Sequence, residues 1–164
     1  MISIRDDNWL EGRLENIWRA FFNDIPKSNV AIKWGRRARN RLGSISRQKA
    51  GNSFWSYLAI ADEGTPTIIT INSLFKAEQI PSYVVDMVIA HEVCHYAHGF
   101  NSPLPQRFDT PHAHGIIAKE MIERGLGTTL KMQKKWIKEN WFTYVNQILP
   151  RRKRTFRRSR FGFW

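Results

Sequence analysis

A single cysteine, Cys94, leaves this chain without any intrachain disulfide framework. Its apolar runs all fall well short of the ~18 residues that a membrane-spanning helix needs. The first residues, Met1-Ile2-Ser3-Ile4-Arg5-Asp6-Asp7, lack a basic stretch followed by an apolar one, so no secretory signal is read there. These absences together predict a cytoplasmic (or nucleoid-associated) protein. No internal repeat and no Gly-, Ser- or Pro-rich linker divides the 164 residues. One domain of that length can bury a core of useful size.

Acidic residues are scarce in two places. Residues 33–49 contain Lys33, Arg36, Arg37, Arg39, Arg41, Arg47 and Lys49 and no acid. After Glu139 there is again no acid, but there are Arg151, Arg152, Lys153, Arg154, Arg157, Arg158 and Arg160. The formal charge of +12 is therefore two local surpluses on a nearly neutral body. Clusters of this kind attract polyanions, nucleic acid above all. Arg36, Arg37, Arg39, Arg151, Arg152, Arg154, Arg157 and Arg158 are the expected contacts. The blander alternative is a solvated tail that aids solubility. Phe161, Phe163 and Trp164 among the last arginines add possible base-stacking surfaces, which suits single strands.

Periodicity places the elements. Trp9, Leu10, Leu14, Ile17, Trp18, Phe21 and Phe22 recur at helical spacing before Pro26. Val30–Trp34 and Phe54–Ile60 are expected to be short strands. Thr67-Ile68-Ile69-Thr70-Ile71-Asn72, β-branched almost throughout, is a third. A helix is predicted over Tyr83–His98, with Ser82 as its N-cap and Gly99 as its stop. Asn101–Pro111, with three prolines, is expected to be a loop. A further helix runs from His112 or His114 to Arg124, and a last one over Lys131–Leu149. Helices, short strands and helices again imply an α+β domain over residues 1–149, followed by a basic, flexible tail at 150–164.

The chemistry lies in His91-Glu92-Val93-Cys94-His95, an HExxH pattern on the predicted helix. Residues four apart project from one helix face a single turn from each other, so both imidazoles can reach one zinc ion. Glu92, beside the first ligand, can take a proton from water at an open coordination position. Zinc needs a third protein ligand. His98 follows on the same helix and would not close around the ion, so it is expected at the helix end or rim. His112 and His114 both follow the loop, and either could approach from another direction. Cys94, inside an apolar helix, reads as a small buried residue rather than a reactive thiol. Tyr96 or another hydroxyl is a candidate for stabilising an oxyanion.

Taken together, these residues resemble the SprT-like (Spartan-type) zinc metallopeptidases. The resemblance covers roughly residues 36–128. It rests on Arg41-Leu42-Gly43-Ser44, Thr70-Ile71-Asn72, Val88-Ile89-Ala90-His91-Glu92-Val93-Cys94-His95, and His114-Gly115 followed by Met121-Ile122 and Gly125-Leu126-Gly127. It implies a minimal zincin-like domain, with a small sheet packed against an active-site helix and flanking helices. It also implies one zinc per chain, Glu92 as general base, and endopeptidase activity toward protein or peptide, including DNA-associated proteins. In that family a His-Gly pair opens the helix bearing the third ligand, which favours His114, with His112 as the alternative. The loop from His95 to His114 is longer than usual. Ile116, Ile117 and Ala118 stand where an aromatic is common. The four-cysteine zinc ribbon of some relatives is absent. Two rival readings are a noncatalytic nucleic-acid-binding protein with a structural zinc, and a general zinc peptidase with no nucleic-acid role.

Overall fold

The computed structural model describes residues 5–48 and 65–149. The expected strand Phe54–Ile60 and the tail at 150–164 lie outside them. The chain opens with helix α1 (Asp7–Phe21), capped by the Asp6 side chain, which accepts from the Trp9 N–H. Its buried stripe is Leu10, Leu14, Ile17 and Trp18, the faces that the helical period selects.

Three strands follow: β1 (Val30–Trp34), β2 (Gly43–Arg47) and β3 (Thr67–Ile71). They pair in the order β1-β3-β2, parallel between β1 and β3 and antiparallel between β2 and β3. Ile32 and Ile45 both face Ile69 in register. β3 is central and buried at four of its five positions, which explains its unbroken β-branched composition. β2, Gly43-Ser44-Ile45-Ser46-Arg47, is a strand that the sequence pattern did not signal. It carries one β-branched residue and is held in place by its neighbour.

Helix α2 (Ser82–Ala97) packs against α1, β2 and β3 and forms the centre of the core. It begins with Pro81 in the N-cap position, one residue before the expected cap, and Pro81 supplies no side-chain hydrogen bond. Thirteen of its residues are buried, so it lacks a polar face. The single acid in its first half, Asp86, forms a two-pronged ion pair with Arg13 of α1, which neutralises the buried charge. Gly99 ends the helix with φ +83°, and a Cβ there would collide with Pro105 O. Both the dihedral and the close approach require glycine. The following loop thereby folds back over the end of α2, fixed by the Arg107 N–H donating to His98 O at 2.9 Å.

That return leads through a 3-10 turn (Ala113–Gly115) into α3 (Ile116–Glu123) and α4 (Gly127–Trp136). A π-helical turn (Ile137–Trp141) joins α4 to α5 (Phe142–Ile148). Trp141, 1% exposed, stacks on Phe75 and donates from Nε1 to Arg39 O at 2.8 Å. The architecture is α+β, with a small mixed sheet on one side of α2 and helices on the others. Among the described residues no helix is long and apolar enough to cross a membrane.

Candidate metal centre

His91 and His95 leave the same face of α2, and their Nε2 atoms are 3.2 Å apart. His112, carried in by the returning loop, completes a group of three. His91, His95 and His112 have ligand nitrogens that all lie within 4.8 Å of one another. The His112 ring stacks on His91 at 5.6 Å and meets His95 edge-on at 4.7 Å. The structure thus brings together His91, His95 and His112. His114 stays outside this group: it is exposed and occupies the left-handed region with φ 50°. It marks the kink where the loop turns into α3, two residues beyond the position that reaches the site.

Two nitrogens bound to one tetrahedral zinc at 2.0–2.1 Å would be separated by about 3.3 Å. The observed Nε2 separation of 3.2 Å fits that requirement. Protonation suits it too. Burial, then the neighbouring His112, pushes His91 down to about 4. Burial, then His91 and His112, pushes His95 down to about 3. Both imidazoles are neutral at pH 7, which is the ligand form. Nδ1 of His95 is buried with no hydrogen-bond partner among the described residues.

Glu92 is 5% exposed and lies against β2. Burial pushes its carboxyl up to about 7, opposed by the charge of Arg41. Space for it depends on Gly43. A Cβ at that position would stand 2.8 Å from Glu92 Oε1 and 2.8 Å from Val88 Cγ1. The loop before β2 is fixed by Asn72, whose Nδ2 donates to Ala38 O at 2.7 Å and to Arg41 O at 2.8 Å. Its Oδ1 accepts from the Leu74 N–H at 3.0 Å. Asn72 was visible as part of a motif, but its task of holding the 38–41 loop was not.

These groups open into one cleft of about 1030 Å³. Its walls include Gly43, Ser44 and Ile45 of β2, the three histidines, and residues of α3 and α4. The cleft is large enough to admit a peptide segment.

Other candidates fall elsewhere. His98 stands at the helix end, as the C-cap of α2, but not at a rim: it is 1% exposed, its Nε2 lies 3.3 Å from Glu120 Oε2, and Phe108 packs edge-on against its ring. The returning loop and α3 cover it. Tyr96 faces away from the cleft. Its hydroxyl accepts from the Ser28 N–H at 3.1 Å and lies 3.2 Å from both Pro26 O and Ser28 O, where its role is to pin the α1–β1 connection. Cys94 is fully buried, and burial raises its thiol well above the usual range. Arg36 and Arg37 are exposed. Arg39 is drawn inward, donating to Asn146 Oδ1 at 2.6 Å and to Leu149 O. Arg151, Arg152, Arg154, Arg157 and Arg158 lie outside the described residues. No protein-family model matches the chain, and no curated protein and no solved structure matches it either.

Proposed function

We propose that this chain is a zinc-dependent endopeptidase of minimal zincin-like architecture, with His91, His95 and His112 holding the metal and Glu92 as general base. The observation that carries the reading is the convergence of three histidine nitrogens beside a buried carboxylate in one open cleft. Bound zinc would supply Lewis acidity, polarising a scissile carbonyl and making a water proton available near neutral pH. The protein's own residues do the rest. Glu92 accepts the water proton at its carboxylate and returns it to the leaving amine nitrogen. A base with an affinity near neutral suits both halves of that task. β2 forms one wall, along which an extended substrate can lie. A purely structural zinc would need neither the general base nor the open cleft.

The same reading includes contact with nucleic acid. Arg39 donates to Leu149 O, so the end of α5 lies beside the Arg36–Arg41 loop. That loop carries Arg36, Arg37 and Arg41, all exposed, and leads directly into the cleft wall at Gly43. A DNA-associated protein substrate would fit this arrangement.

The test is Glu92→Gln in zinc-loaded protein. Zinc content should persist while hydrolysis of denatured or DNA-bound protein falls roughly a hundred- to ten-thousand-fold. Wild-type turnover in that variant would rule Glu92 out as the base.

A further inference from the structure

Gln133 stands out on α4. Its neighbours in sequence, Lys131, Met132, Lys134 and Lys135, are all exposed, yet Gln133 is only 8% exposed and lines the cleft. Its side-chain amide makes no hydrogen bond to any described residue. Its amide atoms are not sealed off in the core, so they reach the open space that the residue lines, where water or a ligand can satisfy them. Here the space it faces is the cleft that contains His91 and Glu92.

The chemistry of that amide narrows the ligand. It offers an N–H donor and a carbonyl acceptor side by side. The N–H and C=O of one residue in an extended chain project to the same side and offer the same pair in reverse, so both can be satisfied together. A phosphate or carboxylate would use the donor alone. The lining of the same cleft also has an apolar part: Met87, Ile117, Met121 and Leu130, from α2, α3 and α4, are all nearly buried. Arg41 and Lys134 also line the cleft, and both are exposed. Glu92 is the one acid among the described lining residues, so a basic side chain finds no second acidic partner among them.

We propose that Gln133 is a substrate-binding residue that pairs with the backbone N–H and C=O of one extended substrate residue, and that the apolar lining of Met87, Ile117, Met121 and Leu130 seats an apolar side chain of the same segment. The inference rests on reading the cleft as a peptide site. It adds the substrate class: an extended segment with a bulky apolar residue and no lysine or arginine beside it.

The experiment uses full-length, zinc-loaded Glu92→Gln protein, so that binding is measured without turnover. The probes are fluorescein-labelled ten-residue Gly/Ser peptides with a single central Leu, Gly or Lys, read by anisotropy. The Leu peptide should bind at least several-fold tighter than the Gly or Lys peptide. Adding Gln133→Met, close in size but unable to form hydrogen bonds, should weaken Leu-peptide binding roughly tenfold, the scale of one lost hydrogen bond. Its melting temperature should match that of the parent, because the amide makes no hydrogen bond to any described residue. Equal binding by parent and Gln133→Met would overturn the proposal, as would weaker binding accompanied by a lower melting temperature. Equal binding of the three peptides would overturn the apolar subsite. Wild-type cleavage is assayed separately. Cleavage with Gln133→Met showing an unchanged KM would defeat this inference while leaving the peptidase reading intact. Absence of both cleavage and binding would defeat both.

Discussion

Gly43 and Glu92 are matched to each other: a Cβ at residue 43 would fall 2.8 Å from the Glu92 carboxylate oxygen. The strand that borders the cleft can approach the helix bearing Glu92 this closely because residue 43 has no side chain. Gly43→Ala must therefore displace Glu92, Val88 or the strand itself. Overpacking of this kind costs about 1–3 kcal/mol. The expected variant retains its zinc, melts lower and loses hydrolytic activity. Thermal melts with parallel zinc analysis check this, and a variant with wild-type activity and stability would contradict it.

Metal-free protein should show opposing pH dependences that Glu92 and the histidines set. Glu92 rises from an ordinary 4.5 to about 7 on folding. The folded state then holds the proton that the unfolded state releases. This contribution is fully present below about pH 4.5 and is lost as pH rises through about 7. His91 and His95 fall from 6.5 to about 4 and about 3. The unfolded chain takes up their protons first, so their contribution is present above about 6.5 and is lost as pH falls toward 4 and 3. Glu92→Gln abolishes the first effect alone. In chelator, at pH 8, that variant should be more stable than wild type by on the order of 2–3 kcal/mol. The gain should shrink to nothing near pH 4.5. Denaturant titrations across pH measure both, and equal stabilities at pH 8 would show that Glu92 is not desolvated.

Zinc should stabilise the fold in proportion to its occupancy. At a free concentration about 100 times its Kd, binding contributes about 2.7 kcal/mol, or roughly 5–10 °C in Tm for a chain of this size. Addition of zinc to His95→Ala should leave Tm unchanged. An equal shift in that variant would place the metal elsewhere.

The helix period made the pairing of His91 and His95 legible, because spacing alone fixes which residues share a face. Choosing between His112 and His114 required the path of a loop. That path depends on Gly99, on the Arg107–His98 backbone hydrogen bond, and on the kink at His114. None of these has a periodic signature. β2 was hidden for a different reason. Gly43-Ser44-Ile45-Ser46-Arg47 has little intrinsic preference for a strand and is held by pairing with β3. Gln133 was masked by the lysines around it, which read as a solvated face. The rim position expected for His98 followed from its place at the helix end, but the returning loop buries it. β3 and the core of α2 were readable because burial on both faces demands continuous apolar sequence, and β1 because its residues alternate.

For the basic loop, Arg36→Ala combined with Arg37→Ala should reduce double-stranded DNA affinity and flatten its salt dependence. Each lost phosphate contact lowers the slope of log K against log salt by about 0.9, so the pair should lower it by about 2. Truncation after Pro150 should flatten it further without loss of zinc. Stacking by Phe161, Phe163 and Trp164 should favour single-stranded over double-stranded DNA in the full chain. Identical salt slopes in all constructs would remove nucleic acid from the account.

The most direct measurement is the zinc content of purified wild-type protein and of four single variants: His91→Ala, His95→Ala, His112→Ala and His114→Ala. The structure-based assignment predicts one zinc per chain in wild type and in His114→Ala. It predicts loss of zinc in His91→Ala, His95→Ala and His112→Ala. A folded His112→Ala variant that keeps its metal while His114→Ala loses it would contradict the ligand set, and a wild-type protein that binds no zinc would contradict the account as a whole.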